Sequence, residues 1–180
     1  MKSEKFVFAY GSLIWNPGFE FVESEKAYAI DFSRSLCIQA KVHRGTPDLP
    51  GLVLGLEPNM GSRYEGVLYR VKDSNWEVTA EYLRNREMHR DVYIESMIRV
   101  EKADGSIVSA LAYIVNVDSV EYDPSRSLED VVRMVAFAKG ISGSSFDYLE
   151  NVVNFLKREK IDSIELEKIL ESARQLKDND

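Results

Sequence analysis

The sequence is poor in the residues that build disulfide frameworks, metal sites and membrane spans. Its 180 residues include one cysteine, Cys37, and two histidines, His43 and His89. A single cysteine excludes an internal disulfide framework, and these three residues have no metal-ligand spacing. The longest apolar run, residues 110–115, is far shorter than the roughly 20 residues that a transmembrane helix needs. We therefore expect no disulfide, no metal and no membrane association.

The 23 lysines and arginines are outnumbered by 30 aspartates and glutamates, so the net charge is −7. This balance argues against nucleic acid or an anionic membrane as the main partner. The composition, 44% hydrophobic and 29% charged, is typical of a soluble globular protein, and the length predicts one domain over residues 1–180. No signal-peptide pattern follows Met1, and Cys37 lies in an apolar stretch typical of a buried thiol, so we expect a cytoplasmic location. The sequence does not indicate an oligomeric state.

Strand patterns dominate the first two thirds of the chain, and helix patterns dominate the last third. Strands are predicted at residues 6–10, 36–42, 52–56, 64–71, 93–100 and 107–115, with a tight hairpin at Asp104-Gly105. Helix starts are predicted at Ser74/Glu77, Ser127/Asp130, Ser144/Asp147 and Asp162/Glu165, with Gly140 as a helix stop. We predict an α+β fold with a mixed, barrel-like β-sheet, surrounding helices and C-terminal helices.

The first strand stops while the sequence is still apolar. Gly11 and Ser12 interrupt the run, although Leu13 and the next two residues are apolar again. Glycine weakens a strand interior, so the break leaves consecutive backbone N–H groups without ladder partners. Such groups can bind an anion or a developing oxyanion. The alternative is a strand-to-loop corner without a ligand, which an isolated Gly-Ser pair favours.

Glu87 is the side chain whose position most suggests catalysis. It shares one helical face with the apolar residues Trp76, Ala80 and Leu83. Burial and a position near the helix C-terminus both raise the pKa of a glutamate toward the range of a general base. The alternative is a surface ion pair with Arg84, Arg86 or Arg90, which the spacing alone favours.

Residues 43–51 form a second polar segment, rich in glycine and proline. Arg44 in this segment can pair with a carboxylate, although a rigid connector with a surface arginine fits equally well. A hydrolase based on Ser12 and His43 is disfavoured, because the residues around Ser12 lack the second glycine of a nucleophile elbow.

Together these segments resemble the ChaC-type gamma-glutamylcyclotransferases. The resemblance rests on five blocks in the same order, which extend over nearly the whole chain: residues 8–15, 43–56, 66–71, 82–88 with Tyr93, and the C-terminal segments around residues 140–149 and 166–167. Two small departures are Ala9 and Ala40, where the family often has glycine and serine. Residues 88–92, which include His89, Arg90 and Asp91, contain no glycine where relatives often have one. We interpret them as a polar loop that affects specificity.

The resemblance implies a cofactor-free lyase whose small-molecule substrate is glutathione, cleaved to 5-oxoproline and cysteinylglycine. It implies that Glu87, the second residue of an Arg-Glu pair, is catalytic. The residues that it implies for substrate binding are Phe8, Ala9, Tyr10, Gly11, Ser12, Leu13, Arg44, Tyr93 and Tyr148. Two alternatives remain open: another gamma-glutamyl amino acid or amine as the donor, or a non-catalytic binding or regulatory protein on this scaffold.

Overall fold

The computed structural model describes residues 4–88 and 91–179. Contacts divide the chain into two compact units. The first contains the chain up to Arg34 and Leu56–Ser119, and the second contains Ser35–Gly55 and the chain from Val120 onward. A single domain over residues 1–180 stays a prediction. Among the described residues, no helix is both long enough and apolar enough to cross a membrane.

A five-stranded closed barrel organises the sheet. Its strands are β1 (Lys5–Ala9), β2 (Glu23–Ala40), β3 (Gly51–Val71), β4 (Tyr93–Lys102) and β5 (Ile107–Val115), in the order β1-β3-β2-β4-β5. In the first unit, β1 pairs antiparallel with β3, and Val7 pairs with Leu111 in the parallel contact to β5. The prediction of an α+β fold with a barrel-like sheet is therefore confirmed.

After Lys5, strand β1 is continuously apolar, since it has a neighbour on both sides and is buried. Val7 and Ala9 are fully buried, and Phe6 and Phe8 are nearly so. Gly66 on β3 permits close packing here, since a Cβ at that position would lie 2.5 Å from the carbonyl oxygen of Ala9. This close approach fixes the end of β1, from which the candidate site begins.

The hairpin between β4 and β5 turns at the predicted Asp104-Gly105. Gly105 has a φ of +81° and donates its N–H to the carbonyl of Lys102, at 3.0 Å. The register places Tyr93 opposite Val115 and Glu95 opposite Tyr113. The hairpin prediction is confirmed.

Two strands are longer than the sequence predicts. The strand predicted at 36–42 is the end of β2, which runs from Glu23 and stops at Ala40, and the separate strands at 52–56 and 64–71 are one strand, β3. The added parts are polar and lack a clean alternation of apolar residues. They pair with strands that are distant in sequence, as Ala27 does with Lys102, and their side chains form cross-strand ion pairs such as Arg70 with Glu23 at 2.6 Å.

Helix α1 (Trp76–Glu87) follows a 3₁₀ turn, Asp73–Asn75. The predicted capping box is wrong, because the residue before the helix is Asn75 and no side chain caps it. The Ser74 hydroxyl instead donates to the side-chain oxygen of Asn75, at 3.0 Å.

The second unit contains α2 (Leu128–Phe137), the two-residue strands β6 (Lys139–Gly140) and β7 (Gly143–Ser144), α3 (Ser145–Glu159) and α4 (Ile164–Asp178). The predicted caps Ser127 and Ser144 are confirmed, because each side chain accepts the backbone N–H three residues on. Gly140 is not a helix stop, since α2 ends at Phe137 and Gly140 pairs with Gly143.

Helix α4 begins one residue later than predicted. Ser163 precedes it, and the Asp162 carboxylate accepts the N–H of Ile164 at 3.1 Å. The lone cysteine, Cys37, is fully buried in the second unit, as expected for a packing residue.

Candidate active site

The chain leaves β1 through residues 11–17, which we call the 11–17 loop. It contains one 3₁₀ turn, Ser12–Ile14, closed by bonds from Ile14 N–H to Gly11 O and from Asn16 N–H to Ser12 O, each 3.0 Å long. The Tyr69 hydroxyl donates toward the carbonyl oxygens of Leu13 and Ile14, each 3.1 Å away. The loop is therefore a defined turn held from β3.

Three consecutive amides of this loop stay available. Within residues 4–88 and 91–179, no protein group accepts a hydrogen bond from the N–H of Gly11, Ser12 or Leu13. This matches the expectation that the Gly-Ser break leaves N–H groups without ladder partners. Such groups are the donors that an anionic ligand requires.

The side chains before the break are structural. Phe8 and Ala9 are buried in the core at 1% and 0% exposure, so they can meet a ligand only through their backbone. Tyr10 is also buried, and its hydroxyl donates to the carbonyl of Tyr113 at 2.5 Å. The Tyr10 carbonyl accepts from Arg34 at 3.2 Å.

Glu87 is the last residue of α1, and its side chain is mostly buried, with 17% of it exposed. Ala80 and Leu83 on the same face are core residues, as the spacing predicts. Burial raises the pKa of Glu87, and the Arg86 guanidinium offsets part of that rise. A raised pKa makes this carboxylate a stronger base than an exposed one.

Among the described residues, Glu87 forms an ion pair with Arg86, with 3.2 Å between Nε and Oε1. Arg84 instead pairs with Glu95, at 3.0 Å. Arg90, the third arginine considered, lies outside the described residues, as does His89.

Arg86 also connects Glu87 to the 11–17 loop. Arg86 Nη2 donates to the Ser12 hydroxyl at 2.9 Å, and Nη1 donates to the Asn16 carbonyl at 2.7 Å. Glu87 and Ser12 therefore contact one guanidinium, which places the buried carboxylate beside the loop. Ser12 has a permanently charged donor as its partner, and a guanidinium cannot act as a base. This contact argues against Ser12 as a nucleophile.

Sequence reasoning missed a polar cluster next to Glu87. The Tyr113 hydroxyl donates to Glu95 at 2.9 Å, and Glu95 also accepts from Arg84. Burial and the bond to Glu95 raise the pKa of Tyr113 far above its usual value, and the charge of Glu87 adds to the rise. Tyr113 is therefore a hydrogen-bond donor throughout the physiological range. Only the register of β4 and β5 brings this pair together.

Tyr93, a predicted binding residue, is the first residue of β4 and is half-buried. It belongs to the first unit together with Glu87 and the 11–17 loop.

Arg44 and Tyr148 meet in the second unit. The Arg44 guanidinium lies 5.5 Å from the centre of the Tyr148 ring and donates to the Ser142 carbonyl at 2.7 Å. The Tyr148 hydroxyl accepts the N–H of Leu54 at 3.2 Å. His43 Nδ1 lies 2.9 Å from the Ser142 hydroxyl. A substrate-binding role for Arg44 and Tyr148 stays a prediction.

Within the described ranges, no three histidine, cysteine or acidic side chains lie close enough to hold a metal ion. The chemistry of the first unit is thus one buried carboxylate, one bridging guanidinium and a row of available amides. This combination defines a class of barrel protein suited to acid–base chemistry on an anionic ligand.

Comparisons with known proteins identify the family. The model of the ChaC-like protein family matches residues 5–176. A glutathione-specific gamma-glutamylcyclotransferase of Escherichia coli (strain K12) is 30% identical over 170 residues, which cover 94% of this chain and 73% of that protein. Glutathione-specific gamma-glutamylcyclotransferase 1 of Danio rerio is 30% identical over 158 residues, 87% of this chain and 81% of that protein.

The crystal structure of a yeast gamma-glutamylcyclotransferase specific to glutathione superposes with a TM-score of 0.85, at 21% identity and 97% coverage of both chains. At this identity the likeness shows the shared fold. The chain belongs to the ChaC-like family.

Proposed function

We propose that this protein is a gamma-glutamylcyclotransferase, a lyase that cleaves glutathione to 5-oxoproline and cysteinylglycine. Support comes from family membership and from relatives named for this activity over most of their length. The observation that carries the proposal is the position of Glu87, buried and linked through Arg86 to Ser12 of the 11–17 loop.

The reaction is an intramolecular ring closure. The α-amine of the gamma-glutamyl group attacks its own γ-carbonyl carbon, a five-membered lactam forms, and the bond to the cysteine nitrogen breaks. Well-oriented intramolecular reactions reach effective molarities of about 10⁵–10⁸ M, so holding the substrate folded supplies much of the rate. The enzyme must still move protons and stabilise the oxyanion.

Glu87 would act first as the general base and then as the general acid. As a carboxylate it accepts a proton from the substrate α-ammonium, which frees the nitrogen lone pair for attack. As the tetrahedral intermediate collapses, the protonated acid donates to the departing cysteine nitrogen. The ring nitrogen loses a second proton as the lactam forms, and the departing amine takes up this proton and leaves as an ammonium. The α-ammonium thus loses two protons in all and the departing nitrogen gains two, so the carboxylate is regenerated and the protons balance. The burial that raises the pKa of Glu87 brings its basicity closer to that of an amine.

The amides of Gly11, Ser12 and Leu13 would bind negative charge. They can stabilise the oxyanion of the tetrahedral intermediate or hold the substrate α-carboxylate. In this proposal Phe8, Ala9 and Tyr10 set the position of the loop from the core. Tyr93, in the same unit as Glu87, is proposed to bind the remainder of the substrate.

The substrate is a small molecule and the ring closure has no redox step, so we propose that the reaction proceeds without nucleic acid, membrane or cofactor. We propose that the protein acts in the cytoplasm, where glutathione is held reduced.

The test is to incubate the protein separately with glutathione, gamma-glutamylalanine and gamma-glutamyl-lysine and to measure released 5-oxoproline. Release from glutathione with the highest kcat/KM supports the proposal. Preferential release from either of the other donors would mean a cyclotransferase of different specificity. No release from any donor, with ligand binding retained, would mean a binding or regulatory protein.

A further inference from the structure

Arg86 contacts several groups around the 11–17 loop. Its Nη1 donates to the carbonyls of Asn16 and Pro17 at 2.7 and 3.3 Å and to the Tyr82 hydroxyl at 3.0 Å. Its Nη2 donates to the Ser12 hydroxyl at 2.9 Å, and its Nε pairs with Glu87 at 3.2 Å. One planar group thus meets both ends of the loop and the buried carboxylate.

The loop is also packed against the same helix. Gly18, just beyond the loop, has a φ of +73°, and a Cβ there would lie 2.0 Å from the Tyr82 hydroxyl. Tyr82 in turn contacts Arg86 one helical turn away. The loop, Tyr82 and Arg86 therefore form one contiguous contact surface that ends at Glu87.

We propose that Arg86 is a positioning residue that sets the distance and orientation between the carboxylate of Glu87 and the amides of the 11–17 loop. The inference rests on the proposed function, because it assigns Arg86 to the same site. It goes beyond that function by giving the second partner of the ion pair a role of its own. In that role Arg86 holds the base and the anion-binding amides in one geometry.

A guanidinium is suited to this role, and a lysine is not. Arginine presents five donors in a rigid plane, so it can bind Glu87, Ser12 and Asn16 at once in fixed directions. A lysine ammonium keeps the charge but is a compact group on a flexible stem. The charge effect and the bridging effect can therefore be separated by substitution.

The pKa measured for Glu87 depends on the charged and titratable groups around it. On its own helix, the charge that affects the pKa of Glu87 is that of Arg86. On β5, Tyr113 lies close enough for the charge of Glu87 to raise the pKa of its phenol. Tyr113 is bonded to Glu95, which Arg84 pairs. Of these groups, Arg86 lowers the pKa of Glu87 by its charge.

The experiment compares wild type, Arg86→Gln, Arg86→Lys and the control Arg99→Gln, which removes an exposed arginine of β4 that pairs with Asp31. Three readouts are measured: the pKa of the Glu87 carboxyl by ¹³C NMR, amide exchange of Ile14 and Asn16, and the pH dependence of kcat and KM with glutathione. The Glu87→Gln spectrum assigns the carboxyl resonance. The first two readouts need no catalysis.

In Arg86→Gln we expect a higher Glu87 pKa, an acidic limb of kcat/KM displaced to higher pH, and faster exchange of both amides. In Arg86→Lys we expect a near wild-type Glu87 pKa, faster amide exchange and a loss in kcat/KM of about 10²-fold, the cost of a misplacement on the order of 1 Å. Arg99→Gln should match wild type in all three readouts.

Unchanged Glu87 pKa and amide exchange in Arg86→Gln would overturn the proposal. Wild-type kinetics and exchange in Arg86→Lys would also overturn it, and this variant decides the matter if Arg86→Gln does not fold. A wild-type protein that releases no 5-oxoproline would refute the proposed function, while the titration and exchange data still decide the role of Arg86.

Discussion

Replacing Glu87 by glutamine removes the proposed base while keeping the shape of the side chain. The amide oxygen of glutamine can still accept from Arg86 Nε, so the contacts from Arg86 to the 11–17 loop are expected to persist. General acid–base catalysis contributes about 10²–10⁴-fold, or about 3–5 kcal/mol of activation free energy. We therefore expect kcat to fall by that factor and KM to change little.

The same substitution has an opposite effect on stability. Burial places the folded-state pKa of Glu87 above its unfolded value, so the folded state binds more protons between the two values. The free energy of unfolding then falls as pH rises through this window, and the ionised carboxylate lowers stability at neutral pH. Glu87→Gln should accordingly raise Tm at pH 7, measured by calorimetry, and lose that advantage below the unfolded pKa.

The assay is 5-oxoproline release from glutathione, with Glu81→Gln as the control. Glu81 is an exposed carboxylate on the same helix, so its substitution changes the net charge equally without touching the site. In wild type, kcat/KM should decline as pH falls through the raised pKa of Glu87, because protonation removes the base. Glu87→Gln with wild-type kcat would refute the assignment of Glu87 as the base.

Three further substitutions test the loop, the barrel and a helix cap. Ser12→Ala removes one acceptor of Arg86 and should lower kcat/KM by about tenfold, well short of the Glu87→Gln loss; complete inactivity in the 5-oxoproline assay would instead indicate a nucleophilic serine. Gly66→Ala places a Cβ 2.5 Å from the Ala9 carbonyl and should cost about 1–3 kcal/mol of stability in urea unfolding. An unchanged urea midpoint would mean that β1 and β3 can separate without cost. Ser127→Ala removes the acceptor of the Asp130 N–H and should cost about 0.5–2 kcal/mol. A calorimetric Tm equal to that of wild type would show that water replaces this cap.

Short-range signals in the sequence predicted much of the fold. The hairpin at Asp104-Gly105 and the caps Ser127 and Ser144 depend on residues within a few positions of each other, and all are found. The first half of β2 was missed because ion pairs with other strands stabilise its polar residues. The partner residues are distant in sequence, so no local pattern predicts these pairs.

The candidate site likewise combines features that the sequence predicts with features that only the structure shows. By itself the sequence determined that an apolar strand stops at Gly11 and that Glu87 shares a face with core residues, since both follow from backbone sterics and helical periodicity. It gave no sign of the contact between Arg86 and Ser12 or of the pairing of Tyr113 with Glu95. Only the tertiary structure decided these, because partners separated by tens of residues meet through strand register and the packing of α1. The contact of Arg86 with Ser12, 74 positions away, is the clearest case.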